Sequence, residues 1–215
     1  QSQGLKPGDR IALMLPNIPQ FAVTMAAILR AGYTCVNVNP LYTARELEHQ
    51  LKDSGAKAIV IIENFAATLE KCMAQTPVQH VVLASMGDRL GWLKGSLVNY
   101  VVRNVKKMVP TFNLPGAVRF NDALAQGVRA TLKRPDIKPT DVAVLQYTGG
   151  TTGVSKGAVL LHSNVIANVL QSEAWNSPVM ARLPAGEPLI SICALPLYHI
   201  FAFTVNMMLS MRTGG

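Results

Sequence analysis

Residues 147–157 (YTGGTTGVSKG) gather the side chains of this sequence best suited to chemistry. They comprise four glycines, three threonines, one serine and one lysine beside a tyrosine and a valine, with no acid. Glycine lets a backbone turn sharply and come close to a ligand. Successive free N–H groups in such a turn form a concavity that accepts an anion. The hydroxyls of Thr148, Thr151, Thr152 and Ser155 add donors, and Lys156 adds a point charge. This inventory suits a polyphosphate. The pattern is not the common phosphate loop, which needs Gly, four residues, then Gly-Lys-Ser/Thr opening a helix. Here Lys156 follows Ser155 and precedes Gly157, and the flanking runs 141–146 (DVAVLQ) and 158–161 (AVLL) read as strands. The loop therefore joins two strands and could serve as a mobile flap. The plainer reading is a surface hairpin whose glycines and threonines only make turns.

His199 is the next candidate. It follows a strand end and Pro196, the place where ligands meet an open α/β sheet. Its position alone leaves packing and site roles equally open. His49 is expected on the surface of a charged helix, His80 at the start of a strand without a companion, and His162 at a strand–helix junction with a structural hydrogen bond. No Ser-His-Asp or Cys-His order, no metal-ligand spacing and no close carboxylate pair stands out, so no metal site is expected. Cys35, Cys72 and Cys193 are odd in number. Cys35 and Cys193 sit in apolar strand-like runs, which predicts reduced, buried thiols and a cytoplasmic setting.

The elements that must position these groups alternate. An apolar strand at 10–15 is followed by a helix at 18–31, with Phe21, Met25, Ile28 and Leu29 at helical spacing and Gly32 as its stop. A strand at 33–38 leads to Thr43-Ala-Arg-Glu46, a capping box that opens a helix ending at Gly55. Strands at 58–62 and 79–84 flank a helix at 65–74. Short turns between strands and helices imply right-handed crossovers, and uniformly apolar strands fit burial on both faces. The predicted class is α/β, with layered, mostly parallel sheets flanked by helices. After the glycine loop, Ser163 is expected to cap a helix at 164–175, a loop to fill 176–188, and a strand at 189–195 (LISICAL) to precede a helix at 202–211.

Residues 88–140 break this rhythm and are the place for a subdomain boundary or an insertion. Within them, 90–109 carries Leu93, Leu97, Val101, Val105 and Met108 on one helical stripe, with Lys94, Arg103, Lys106 and Lys107 mostly off it. Such a helix lies either on an anionic membrane surface, through 93–109, or against its own protein with a solvated basic face. A short helix is expected at 119–126.

With 215 residues, 49% of them hydrophobic, the chain can bury a sizeable core in one or two domains. The formal net charge of +8 favours anionic partners: nucleotides, coenzyme A or acidic lipid. Nucleic acid is disfavoured, because aromatics make up 6% of residues and no basic run is interleaved with them. No apolar run is long enough to span a bilayer. Nothing in the composition bears on oligomeric state.

The run 147–157 resembles the phosphate-binding loop of the adenylate-forming (AMP-binding) superfamily, which includes acyl-CoA synthetases, luciferases and peptide-synthetase adenylation domains. The usual family form has Ser at the position of Gly149 and often Pro at that of Ser155. The similarity extends to Gly8-Asp9-Arg10, to 32–40, to 46–57 and to Leu195-Pro-Leu-Tyr-His199, in the family's order. Residues 37–43, 147–157 and 196–201 look closest to bacterial long-chain fatty-acid–CoA ligases. The resemblance implies ATP-dependent activation of a fatty acid to an acyl-adenylate, then thioesterification with coenzyme A, assisted by Mg2+. It carries over Thr148, Gly149, Gly150, Thr151, Thr152, Gly153 and Lys156 as phosphate-loop residues, Lys156 and Thr152 as catalytic donors, and His199 as the gate on the carboxylate side. It also implies that residues 1–215 are part of a large N-terminal adenylation domain whose later segments, including a C-terminal domain, are needed for activity. Its alternatives are a ligase for aryl or shorter-chain acids, and a non-catalytic chain that keeps phosphate or membrane binding. The place implied for the enzyme is the cytoplasm, with peripheral contact at the inner face of the plasma membrane.

Overall fold

Apolar strands and the helices between them build one seven-stranded sheet. The computed structural model describes residues 4–148, 155–184, 187 and 190–214. In chain order the elements are β1 (Arg10–Met14), α1 (Pro19–Arg30), β2 (Thr34–Asn37), α2 (Ala44–Ser54) and β3 (Ala58–Ile62). A 3-10 turn (Glu63–Phe65) leads into α3 (Ala66–Met73), then β4 (His80–Ala84) and α4 (Trp92–Tyr100), which continues as a π-helical turn (Val101–Val105). Next come β5 (Val118–Arg119), α5 (Phe120–Val128), β6 (Val142–Thr148), β7 (Lys156–Leu161) and α6 (His162–Met180). A π-helical stretch (Ala202–Met208) and α7 (Leu209–Thr213) close the described chain. The strand order is β5-β4-β3-β1-β2-β6-β7. Every neighbouring pair is parallel except β6 and β7, which form an antiparallel pair.

Alternation along the strands divides the core into two layers. Ile11 and Leu13 of β1, with Val60 and Ile62 of β3, meet Phe21, Met25 and Ile28 of α1, Val165 of α6 and Phe203. Ala12 and Met14, with Ile59 and Ile61, meet Leu47 and Leu51 of α2 and Leu69 and Cys72 of α3. All five residues of β3 are buried, as a doubly covered parallel strand requires. Local stops follow the sequence. Gly32 (φ +72°) ends α1 and Gly55 (φ +65°) ends α2, both in the left-handed region that glycine enters without strain. At the other end of α2 the Thr43 hydroxyl accepts from Glu46 N–H, while Glu46 Oε2 accepts from Thr43 N–H at 2.8 Å.

Several expectations need correction. No strand forms at 190–195, and Ile190 and Ile192 are almost fully exposed. Leu189, the first residue of that expected strand, lies outside the described residues. A β-branched run becomes a strand only beside another strand, and no described strand pairs with this one. Cys193 is accordingly exposed, whereas Cys35 and Cys72 are buried. The helix expected from Asn164 begins at His162 and runs to Met180, replacing the start of the expected loop. Its first turn is capped by Asn164, whose Oδ1 accepts from Leu161 N–H at 2.9 Å; Ser163 is not the cap. The helix expected over 90–109 covers only Trp92 to Val105 before Lys107, at φ +52°, turns the chain out of it. Its apolar stripe does not join the core: Leu93, Leu97, Val105 and Met108 are exposed. The two-residue strand β5 was not legible in the sequence.

Candidate functional site

Two neutral amides at the carboxyl ends of adjacent strands begin the site. Asn37 of β2 and Gln146 of β6 lie opposite each other in the parallel register, and both are buried. Asn37 Nδ2 donates to Gln146 Oε1 at 3.0 Å, and Gln50 Nε2 of α2 donates to Asn37 O at 2.8 Å. Gln146 Nε2 donates onward to Tyr198 O at 3.0 Å. A buried amide left without a partner costs about 1–3 kcal/mol, so the pair fixes the 196–199 turn above the strand ends. Asn17, just after β1, grips the same segment from the other side. Its Nδ2 donates to Leu195 O at 2.9 Å, and its Oδ1 accepts from Leu197 N–H at 2.7 Å.

This tethering puts His199 at a cavity of about 230 Å³ lined also by Asn39, Tyr42, Thr148 and Tyr198. His199 is exposed there. Its Nδ1 accepts from Phe201 N–H at 3.3 Å, so in the neutral ring the proton sits on Nε2, which is left as a donor. A second, apolar cleft of about 380 Å³ adjoins the first through Ile200. Leu160, Val165, Phe201, Thr204 and Val205 line it, from β7, α6 and the helical segment after His199.

The two strands expected to flank the glycine loop are present, as the antiparallel pair β6–β7, called the hairpin below. Thr148 and Lys156 are direct cross-strand neighbours, and both are exposed. Among the described residues Lys156 has no ion-pair partner. Gly149, Gly150, Thr151, Thr152 and Gly153 lie outside the described residues. Of the residues expected to form the site, the structure therefore brings Thr148, Lys156 and His199 to one end of the sheet, with Thr148 and His199 on one cavity.

Helix α2 holds both arms of this hairpin. Tyr147 Oη donates to Asp53 Oδ2 at 2.5 Å. Burial, then this bond, pushes the Tyr147 hydroxyl well above the ordinary tyrosine range, so it remains a donor. On the other arm His49 Nε2 lies 3.2 Å from Ser155 O. His49 is thus half-buried against the loop, not the free surface residue expected from its charged neighbours. Tyr42 lines the cavity with His199, and burial first and Glu46 next raise its pKa. His162 sits at the strand–helix junction as expected, with its N–H on Asp141 O at 3.0 Å, and burial lowers its pKa.

Asn17, Asn37, Tyr42, Gln50, Asp53 and Gln146 were missed by sequence reasoning. Asn37 and Gln146 did leave a signal: each is an amide that directly follows an apolar run, Cys35-Val36 in β2 and Val142 to Leu145 in β6. Among the described residues no group of three His, Cys, Asp or Glu side chains is placed to hold a metal ion.

The family model for AMP-binding enzymes matches residues 1–215. A long-chain-fatty-acid–CoA ligase of Escherichia coli O157:H7 is 55% identical over 215 residues, all of this chain and 38% of the relative. The ligase of the same name from Bacillus subtilis is 35% identical over all of this chain and 37% of the relative. The chain thus spans under two-fifths of the length of these relatives. Among solved structures, ATP-bound MatB from Rhodopseudomonas palustris superposes with a TM-score of 0.73 at 25% identity, over 100% of this chain and 35% of that one. A long-chain-fatty-acid-CoA ligase from Archaeoglobus fulgidus gives 0.65 at 26% identity, over 97% and 35%. With the family model matched over the whole chain, and the strands that flank its glycine-rich run paired beside a strand-end cavity, this protein belongs to the AMP-binding enzyme family.

Proposed function

We propose that this chain forms part of the N-terminal adenylation domain of a long-chain fatty-acid–CoA ligase. The observation that carries the reading is the 55% identity to a ligase of that name across every residue of the chain. In the reaction a fatty-acid carboxylate oxygen attacks the α-phosphorus of ATP. The bond from that phosphorus to the pyrophosphate oxygen breaks, and pyrophosphate leaves. The thiol of coenzyme A then loses its proton and attacks the acyl carbonyl, and AMP leaves with the electrons of the acyl–phosphate bond.

The residues have distinct tasks. Lys156 and the Thr148 hydroxyl, adjacent across the hairpin, offset charge on the phosphates as it builds on the leaving pyrophosphate. Gly149, Gly150 and Gly153 supply backbone donors, and the hydroxyls of Thr151 and Thr152 join them. His199 Nε2–H donates to the substrate carboxylate and holds it toward the cavity it shares with Thr148. The apolar cleft beyond Ile200 receives the start of the acyl chain. Mg2+, when bound with the triphosphate, would offset charge on its oxygens.

The test is fatty-acid-dependent exchange of pyrophosphate into ATP. The longer parent protein exchanges with palmitate and much more slowly with coumarate, while residues 1–215 alone do not exchange. Exchange by the parent with coumarate but not palmitate would reassign the site to aryl acids, and exchange with neither would remove the ligase reading.

The exposed Leu93, Leu97, Val105 and Met108 support a second element of the proposal, peripheral contact with anionic lipid at the inner face of the plasma membrane. Arg103 is engaged by Glu63, so Lys94, Lys106 and Lys107 are the cations left for lipid. No described helix is long and apolar enough to cross a membrane. The parent should sediment with phosphatidylglycerol vesicles at low salt and lose this when those three lysines become glutamine; a protein indifferent to the vesicles has no such contact.

A further inference from the structure

We infer that α2 is a clamp on the two arms of the β6–β7 hairpin that sets the positions of Thr148 and Lys156, with His49 and Asp53 as its two jaws. The two residues stand four apart on α2, one turn from each other on the same face. Each grips a different arm of the hairpin: Asp53 accepts from Tyr147 Oη before the loop, and His49 meets Ser155 O after it. A carbonyl oxygen can only accept, so His49 Nε2 carries the proton in this contact.

The remaining geometry is built around the same grip. Tyr147 lies opposite Gly157 in the hairpin, and a Cβ at Gly157 would come within 2.9 Å of the Tyr147 ring. The missing side chain is what lets the tyrosine lie across the pair and reach α2. Lys156 thus follows Ser155, which His49 holds, and precedes Gly157, the cross-strand partner of Tyr147. Its backbone is fixed while its ammonium keeps no ion-pair partner among the described residues. Thr148, its cross-strand neighbour, follows the other held residue, Tyr147.

The clamp has a rigid base. Leu47 and Leu51 of α2 are fully buried against the sheet, and Gln50 donates to Asn37 O at 2.8 Å. The Thr43–Glu46 capping box pins its first turn. Side chains on held strand ends are already in place when a triphosphate arrives; unheld ones must be ordered by the ligand, which weakens binding. His49 and Asp53 are positioning residues, because neither is required to touch substrate.

The consequence for catalysis rests on the adenylation reading proposed above; the grip itself can be read without it. The test uses the full-length parent with His49→Ala, His49→Gln and Asp53→Ala. Pyrophosphate exchange should show KM for ATP raised about fivefold to tenfold in each alanine variant, with kcat lowered by less than about threefold. Tryptic cleavage after Lys156 in the absence of substrates should accelerate by a similar factor. His49→Gln, whose side-chain amide can donate to Ser155 O, should return both readouts most of the way. The inference is overturned if His49→Ala changes neither KM nor cleavage by more than about twofold, or if His49→Gln is as impaired as His49→Ala. If the wild-type parent shows no fatty-acid-dependent exchange, the ligase reading falls while the cleavage rates still decide the clamp. Should an alanine variant fail to fold, His49→Gln against His49→Leu, compared by cleavage, decides it instead.

Discussion

Both flanks of the sheet bury polar side chains at strand ends, and they use them in opposite ways. On the β3–β4–β5 side, Glu63 is buried at the end of β3. Arg103 meets it through Nε and Nη2, each at 2.9 Å, and Arg119 Nη1 joins at 3.0 Å. Arg103 Nη2 also donates to Ser85 Oγ at 2.9 Å. Both carboxylate oxygens are engaged, and the cluster ties the turn after α4 and β5 to the sheet. On the β2–β6 side the buried groups are neutral amides, Asn37 and Gln146. They secure a turn whose next residue, His199, is exposed beside a cavity, and the hairpin alongside leaves Lys156 unpaired among the described residues. A buried carboxylate must be neutralised by its surroundings, so its charge is spent on structure. Neutral amides can fix geometry without consuming the charges that a ligand will need.

Substitutions should break these flanks differently. Glu63→Ala in the parent leaves two guanidiniums without their carboxylate and should cost about 3 kcal/mol, the lower end for a broken pair because both arginines are partly exposed. Urea unfolding measures the loss, and exchange activity per folded molecule should stay near wild type. Lys156→Ala should do the reverse, lowering exchange by about 10²-fold, or ~2.7 kcal/mol of barrier, with the unfolding midpoint unchanged. If Lys156→Ala destabilises the fold and leaves the rate intact, the division between the flanks is wrong.

Gln146→Leu affects both properties. It strands Asn37 Nδ2 and Tyr198 O, which should cost about 2 kcal/mol of stability and raise KM for the fatty acid as the His199 turn loosens. A stability loss with unchanged KM would show that the amides do not position His199. Gly157→Ala should cost about 1.5 kcal/mol, because its Cβ has to displace the Tyr147 ring.

Thr43→Ala gives the smallest effect, about 1 kcal/mol from the lost cap of α2. Bonds to the backbone N–H and then the hydroxyl of Thr43 hold the Glu46 carboxyl below the usual glutamate range. The folded pKa is thus below the unfolded one. The stability it brings is present above the unfolded value and is lost as pH falls through the folded value. Acid titration of stability should therefore be shallower in Thr43→Ala than in the wild type.

How much could be read in advance depended on the reach of each signal. The capping box, the glycine stops and the β1–β4 strands were legible because their causes lie within a few residues. The strands flanking the glycine-rich run were legible because their apolar runs are contiguous. His49 was misjudged because its partner, Ser155, is 106 residues away. The apolar stripe from Leu93 to Met108 has the same periodicity as a core-facing helix, yet it faces out, and the run at 190–195 has strand composition without a strand.

The sequence by itself determined most of the elements and the alternating α/β order, since propensity, periodicity and turn chemistry are local. Only the tertiary structure decided which amides meet, where His199 stands, which cations remain unpaired and how α2 grips the hairpin. Those outcomes turn on contacts between residues such as Asn37 and Gln146, 109 positions apart, and on which groups burial forces to find a partner.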